Sequence, residues 1–327
     1  MDRVRWGVLG VANIGMRVVL PAIQQSRNGR IVAIASRDAA RADEAAQRLG
    51  IARAYGSYAA LLDDHEVQAV YVPLPNALHH EWVLRCAAAG KHVLCEKPLT
   101  TSPEHAREMV AACARAGVKL MEAFMYRFHP RTERVVEMVA RGVVGDLKLL
   151  RASFTFPARD PSRNIRFNPA LGGGSLYDVG CYAVNVTRML LGDPEQVFAQ
   201  GYVGETGVDE LVGAVLAFGS GRLALLDCGL TMPRREEYDI IGTAGRLAVP
   251  KAFLPGTGDA EIHLIRGAER TVLTVPGVNQ YQVMAERFAD AVLQDTGVPY
   301  SPDDAVGTLR VITALLTSMR TARPVEL

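Results

Sequence analysis

Two short stretches of this chain carry groups that can do chemistry. The first is Val93-Leu94-Cys95-Glu96-Lys97-Pro98-Leu99, which puts a lysine just past the end of an apolar run. The second is Ser175-Leu176-Tyr177-Asp178-Val179-Gly180-Cys181-Tyr182, which spaces Asp178 and Tyr182 four apart at the start of an expected helix. Residues at that spacing share a helix face. A phenol made more acidic by a nearby cation can give a proton to a carbonyl or take one from a hydroxyl. Lys97 and Tyr182 are therefore a candidate proton-transfer pair, with Asp178 beside them. The structural alternatives are ordinary: Lys97 on the surface, Tyr182 packed in a core, Asp178 capping a helix.

A third motif says what such a pair would serve. Gly7-Val8-Leu9-Gly10-Val11-Ala12-Asn13-Ile14-Gly15 follows an apolar strand and leads into a helix. It reads as a G-x-G-x-x-G loop with alanine at the middle glycine. Gly10 permits a tight turn, Ala12 is small enough for a pyrophosphate to approach, and the helix start offers N–H groups to phosphate. About 20 residues on, an NAD-preferring site would place an acidic residue against the ribose 2′-hydroxyl. This chain has Ser36-Arg37-Asp38 there, with Arg41 one turn later. Serine and arginine suit a 2′-phosphate, so NADP is favoured over NAD, and Asp38 is expected to cap the next helix. A lysine beside a positively charged nicotinamide ring holds its proton less tightly, which suits Lys97 to orient a hydroxyl or carbonyl.

These residues need elements to position them. The first third alternates strands (4–9, 31–35, 69–72, 92–95, 119–122) with helices (39–49, 78–89, 103–116), the pattern of a parallel sheet wound on both faces. Ligands of such sheets bind outside the carboxyl ends of the strands, where Lys97 falls. Beyond Met125 the pattern changes. A helix over 130–141 leads to a strand over 146–156. Hairpins follow at 210–218 with 222–230, 238–241 with 247–249, and 261–266 with 271–275, the first joined by Gly219-Ser220-Gly221. Serial hairpins make a mostly antiparallel sheet. Helices over 280–294 and 302–320 close the chain. The expected division is residues 1–124, a nucleotide-binding doubly wound α/β domain, and residues 125–327, an α+β domain for substrate and dimerisation. His79 opens a helix after Pro73-Leu74-Pro75-Asn76, where helix-start hydrogen bonding is its bland role. Arg163 and Arg166 lie in a polar loop over 159–171 that can meet a polyol or a phosphate.

Composition excludes other classes. Of 327 residues, 49% are hydrophobic and 22% charged, which suits a globular enzyme rather than a disordered chain. Lys+Arg 36 against Asp+Glu 35 leaves no basic excess for a nucleic-acid or membrane-surface partner. No apolar run spans a bilayer, and the first residues lack the apolar core of a signal peptide. The five cysteines are scattered without a CxxC pair, so a reduced, cytoplasmic setting is expected and a metal site is not.

The chain resembles the glucose–fructose oxidoreductase/inositol dehydrogenase (Gfo/Idh/MocA) family over almost its whole length. The marks are the Gly10-x-Ala12-x-x-Gly15 loop, Pro75-Asn76-Ala77-Leu78-His79, Glu96-Lys97-Pro98, and Gly173-Gly174-Ser175 through Tyr182. Within the family it looks most like the dihydrodiol dehydrogenase and NADP-linked D-xylose dehydrogenase branch, through Met121–Pro130 and Ser36-Arg37-Asp38. It is nearly as similar to the NDP-3-keto-sugar 3-ketoreductases, through Tyr71-Val72-Pro73-Leu74-Pro75 and Lys97-Pro98-Leu99-Thr100-Thr101. The resemblance implies a Rossmann domain followed by a large open, mainly antiparallel sheet. It also implies Lys97 and Tyr182 as catalytic pair and Asp178 as the orienting group. To the cofactor contacts Gly10, Ala12, Ser36, Arg37 and Arg41 it adds Asn13, Ile14, Leu74, Pro75, Asn76, His79, Glu96, Lys97 and Arg127. To the substrate contacts Lys97, Arg163, Arg166, Asp178 and Tyr182 it adds Tyr281. The expectation is an NADP-dependent oxidoreductase of a sugar, polyol or keto-sugar. A 3-ketoreductase is the alternative enzyme, and a non-catalytic NADP-binding regulator the alternative of another class. A homodimer or higher homo-oligomer is expected, because large apolar sheet faces are usually covered.

Overall fold

Val4–Leu9 is apolar at nearly every position, as a strand covered on both faces must be. The computed structural model describes residues 2–327. It makes this strand β1, followed by α1 (Leu20–Gln25), β2 (Gly29–Ala35), α2 (Ala39–Leu49), β3 (Arg53–Tyr55), α3 (Tyr58–Leu62), β4 (Ala69–Val72), α4 (Asn76–Ala88), β5 (His92–Cys95), α5 (Pro103–Arg115) and β6 (Leu120–Glu122). The six strands are all parallel, in the order β3-β2-β1-β4-β5-β6. The order reverses between β1 and β4, which opens a crevice at the carboxyl ends of those strands. The helix signals act as expected. Asp38 caps α2 by accepting from Arg41 N (3.3 Å), and Ser102 caps α5 ahead of Pro103.

The second unit contains α6 (Pro130–Ala140), β7 (Leu147–Pro157), α7 (Cys181–Leu191), β8 (Gln196–Val203), β9 (Asp209–Phe218), β10 (Arg222–Gly229), β11 (Thr231–Gly242), β12 (Gly245–Pro250), β13 (Ala260–Arg266) and β14 (Glu269–Val275). With β15 (Val325–Glu326) at one edge, these strands form a nine-stranded sheet in the order β14-β13-β12-β11-β7-β10-β9-β8-β15. It is antiparallel except where β7 and β10 run parallel. α7 lies on one face, and its buried residues pack over β7 and β10.

The division of the chain departs from a single cut at 124/125. One unit is residues 1–125 with 279–306, and the other is 126–278 with 307–327. After β14 the chain returns to the parallel sheet as α8 (Gln280–Leu293), and α9 (Asp303–Thr321) belongs to the second unit from Gly307 onward. The reason is side-chain chemistry that no local pattern encodes. The Phe288 ring of α8 lies 5.4 Å from that of the fully buried Trp6, tilted by 42°. Asn28 Nδ2 donates to Glu286 O (2.9 Å) and Asp290 Oδ1 (2.8 Å), while Arg27 pairs with Asp290. Strand β11 is also longer than its expected core of 238–241, because Arg235–Glu237 lack apolar alternation yet pair with β7 through backbone.

Candidate active site

The nucleotide loop is built by the parallel sheet. Gly10 N donates to Ala35 O (2.8 Å), tying the end of β1 to the end of β2. Gly10 takes φ +104°, which an L side chain resists. A β carbon there would stand 3.1 Å from Leu74 and 3.5 Å from the Tyr58 hydroxyl, closing the cradle that a pyrophosphate needs. Asn13 and Ile14 are already helical, and Gly15–Val19 forms a π turn before α1. The first N–H groups of that helix point outward by geometry. Ser36 is buried at the end of β2, its hydroxyl accepting from Asp38 N (3.2 Å), while Arg37 and Arg41 are exposed. A glycine cradle, a helix start and two exposed guanidinium groups fit a dinucleotide with a 2′-phosphate.

Lys97 occupies a short turn after β5, and its peptide bond to Pro98 is cis. The turn is braced on several sides. Tyr71 Oη on β4 donates to Glu96 Oε1 (2.7 Å), and Lys97 N donates to Glu96 Oε2 (3.3 Å). Glu122 Oε1, at the end of β6, accepts from Leu99 N (2.7 Å). Burial, with Glu96 close by, pushes the Tyr71 phenol well above its ordinary value, so it stays a donor. Tyr281 lies in the first turn of α8. His79 is fully buried. Its Nδ1 lies 3.0 Å from Pro98 O and its Nε2 2.8 Å from Leu74 O. Burial lowers its pKa against the pull of those carbonyls. The His79 side chain therefore ties the Leu74 and Pro98 backbones together; Leu74 is buried, and Pro75 and Asn76 are partly exposed at the start of α4.

In the second unit, Gly172–Gly174 lead into a π turn over Leu176–Gly180, which passes directly into α7. Asp178 thus sits in a π turn and Tyr182 in the α-helix after it, rather than both in one regular helix. The wider turn still brings residues four apart to roughly one face, and π turns inside helices occur often at functional sites. Arg166 Nε donates to Asp178 Oδ2 (2.6 Å), and the Arg166 guanidinium lies 5.4 Å over Phe156. Arg166 O also accepts from Gly174 N (2.8 Å). Arg166 is therefore joined to Asp178 by side chain and to the glycine run by backbone, whereas Arg163 is exposed on the outer part of the same loop. The Tyr182 ring, 5% exposed, is held by Phe253 (5.2 Å), Phe154 (5.3 Å) and Tyr126 (6.0 Å). Tyr126 Oη donates to Asn185 Oδ1 (2.6 Å) on α7. Arg127 follows in the same short 3-10 turn, half-buried.

Three positioning groups escaped the sequence reading. Tyr71 and Glu122 are strand residues whose polar ends brace the Lys97 turn. Asp209, the first residue of β9, accepts from Ser175 Oγ (2.7 Å) and Leu176 N (2.7 Å). It is 6% exposed, and burial raises its pKa while those donors lower it. The only signal for it was an acidic residue opening an otherwise apolar strand.

Comparison with known proteins bears on the whole chain. The family described as "Oxidoreductase family, NAD-binding Rossmann fold" (GFO_IDH_MocA) matches residues 4–124, and "GFO/IDH/MocA C-terminal domain" matches residues 132–248. The chain is 42% identical over 324 residues to D-xylose 1-dehydrogenase (NADP(+)) 2 of Haloferax volcanii, covering 98% of this chain and 99% of that one. It is 35% identical over 320 residues to dTDP-3,4-didehydro-2,6-dideoxy-alpha-D-glucose 3-reductase of Actinomadura kijaniata, covering 97% and 96%. The crystal structure of a 3-ketoreductase from Actinomadura kijaniata with NADP and TDP-benzene superposes with a TM-score of 0.92 at 34% identity, over 97% of this chain and 98% of that one.

Proposed function

The chain belongs to the GFO/IDH/MocA oxidoreductase family, and from that premise we propose that it is an NADP-dependent dehydrogenase of a free sugar or cyclic diol, D-xylose being the first substrate to test. The observation that carries the reading is the Arg166–Asp178 ion pair, whose Asp178 stands four residues before Tyr182 in the chain. It neutralises a carboxylate and a guanidinium against each other, so the Asp178 side of the site carries no net charge to attract a diphosphate, and a neutral polyol suits it.

A bound nicotinamide supplies the two-electron donor or acceptor. Tyr182 moves the proton of the reacting hydroxyl, and its ring is kept in one orientation by the aromatic cluster. Lys97 lowers the proton affinity of the phenol by its charge, and Glu96 and Glu122 brace the backbone of the turn that carries it. Asp178, oriented by Arg166, aligns the substrate. Arg37 and Ser36 read the 2′-phosphate.

The experiment is a substrate panel. Oxidation of D-xylose or a trans-dihydrodiol with NADP+ is expected. Activity only on a nucleotide-linked 3-keto-sugar with NADPH would replace this reading with that of a 3-ketoreductase, which the 35% identical relative favours. No turnover of any member, with NADPH still bound, would leave a cofactor-binding regulator.

The reading includes a homodimer or higher homo-oligomer. Val215 of β9 lies opposite Leu225 of β10, and both are exposed, as are Leu223 and Tyr202 on the same sheet face. Light scattering at working concentration checks it, and a monomer would remove it. All five cysteines are buried and unpaired, which supports a reducing, cytoplasmic setting. Among the described residues no helix is long and apolar enough to cross a membrane.

A further inference from the structure

We propose that Arg131 is a positioning residue for Tyr182, acting through the turn at 250–252 and the ring of Phe253. The inference rests on the reading of Tyr182 as the proton-transfer group and deepens it, by naming what fixes that ring from outside α7.

Arg131 is the second residue of α6 and is 2% exposed. Both facts are unfavourable for an arginine. A cation in the first turn faces the positive end of the helix dipole, and a buried charge is costly unless it is hydrogen-bonded. The acceptors explain the placement. Arg131 Nη1 donates to Pro250 O (2.8 Å), and Nη2 donates to Lys251 O (2.7 Å) and Ala252 O (2.9 Å). Three successive carbonyls therefore converge on one guanidinium. A regular strand turns successive carbonyls to opposite edges, so the chain must bend sharply as β12 ends. It does so with Lys251 at φ +45°, a conformation that an L side chain resists and glycine takes freely. Ala252 N donates to Glu236 O (2.8 Å), which ties the far side of the turn to β11.

The next residue is the hub of the aromatic cluster. Phe253 is fully buried. Its ring lies 5.2 Å from Tyr182, stacks on Phe154 at 5.3 Å and 9°, meets Tyr126 edge-on at 5.3 Å and 88°, and lies 6.2 Å from Tyr238. A planar fork bonded to three carbonyls fixes both the place and the rotation of the turn, which an apolar side chain or a single ammonium does not. Without that clamp, Lys251 is free to leave the left-handed region and carry Phe253 with it. The Tyr182 ring then loses its fixed neighbour, and a misplacement of about 1 Å is enough to slow a reaction by about 10²-fold.

The test compares the full-length wild type with Arg131→Met, Arg131→Lys and the double variant Arg131→Met with Lys251→Gly. Turnover is measured with NADP+ and D-xylose, or with whichever member of the substrate panel reacts. The place of the ring is read separately, by fluorine NMR of protein labelled with 3-fluorotyrosine, with Tyr182→Phe identifying the signal. Arg131→Met should lower kcat of the folded protein by about 10–100-fold, change NADPH affinity by less than about twofold, and shift the Tyr182 signal. Arg131→Lys should lose less, because an ammonium reaches some of the carbonyls. Lys251→Gly should restore at least about threefold of the lost kcat, because glycine holds the turn without the clamp. If Arg131→Met does not fold, Arg131→Lys carries the same comparison. An arginine needed for stability alone would lower the melting temperature and leave both kcat of the folded protein and the Tyr182 signal unchanged, which would overturn the inference. An equal loss of NADPH affinity would overturn it too. If Tyr182→Phe abolishes turnover while both Arg131 variants keep theirs, the inference fails and the catalytic reading stands. If Tyr182→Phe turns over at the wild-type rate, the catalytic reading fails, and the fluorine signal still decides whether Arg131 sets the ring.

Discussion

Two glycine-rich segments, Gly10–Gly15 in the first unit and Gly172–Gly174 in the second, each run into a π turn, yet they are held in place by different means. The first is an extension of its sheet. The strand-end hydrogen bond from Gly10 N to Ala35 O is one that any β1–β2 parallel pair can supply. The second is held by backbone bonds of its own loop, Gly174 N to Arg166 O among them, and by a carboxylate from a distant strand. Asp209 satisfies Ser175 and Leu176, and a β carbon at Gly174, where φ is +118°, would overlap that carboxylate. The first arrangement rests on its own sheet, and the second adds one buried side-chain acceptor to its local backbone bonds. Local pattern therefore foretells the first loop, while a long-range partner is needed to explain the second.

Four experiments would break or sharpen this contrast. The largest effect is expected where the second segment meets the chemistry. Tyr182→Phe keeps the ring in its aromatic cluster and removes the proton, so kcat should fall by about 10²–10⁴-fold with NADPH affinity nearly unchanged. Lys97→Met should cost a comparable factor, and the double variant less than the product of the two, since the groups act as a unit. Steady-state kinetics decide it, and a wild-type rate for Tyr182→Phe would return that residue to packing alone.

Removal of that side-chain anchor comes next. Asp209→Ala leaves a buried hydroxyl and a buried N–H without their acceptor, so unfolding free energy should drop by about 2–4 kcal/mol in urea titrations. Asp209→Asn keeps one acceptor and should cost only about half as much. A loss below about 0.5 kcal/mol for Asp209→Ala would show that the second segment is as diffusely supported as the first.

A pH titration probes another one-residue support in the second unit. His129 is 1% exposed and caps α6, its Nδ1 accepting from Arg131 N (3.0 Å). Burial, assisted by the Arg131 charge, lowers its pKa from 6.5 to about 4. Between those values the unfolded chain binds the extra proton and the folded chain does not. The stability is complete above pH 6.5 and is lost as pH falls toward about 4, at up to about 1.4 kcal/mol per pH unit. His129→Asn retains a cap acceptor without titrating and should flatten that part of the curve. Thermal melts across the window that are superimposable for the two proteins would refute the assignment.

The smallest effect is expected in the first unit. Tyr71→Phe removes one brace of the Lys97 turn, while the Glu122–Leu99 bond and the Pro98–His79 contact remain. It should cost about 0.5–1.5 kcal/mol of stability. A loss as large as that of Asp209→Ala, measured in the same urea series, would erase the distinction between the two units.

Much of the first unit was legible because its signals are local. Caps at Asp38 and Ser102, the glycine loop before a helix, and apolar runs of strand length each need only neighbouring residues. The second sheet was legible as hairpins, since each pair is joined by a short turn. Less visible were β8 and the polar half of β11, whose pairing is through backbone and leaves little apolar alternation to read. The return of α8 to the first unit was hidden for a similar reason, because Phe288 says that it is buried but not that Trp6 buries it.

The amino-acid sequence by itself determined the family, the Rossmann-type first unit, the nucleotide loop with Ser36-Arg37 at the end of the second strand, and the placing of Lys97 at a strand end. Those features follow from residue types at fixed short spacings, where backbone geometry leaves few choices. Only the tertiary structure decided that Arg166 closes on Asp178, that Asp209 pins the segment leading to Tyr182, and that the Tyr58 hydroxyl lies at the rim of the Gly10 cradle. Each of these joins residues far apart in the chain or on different elements. Such partners are chosen by which side chains the packed sheets and helices bring into reach, and spacing along a single strand or helix carries no record of that.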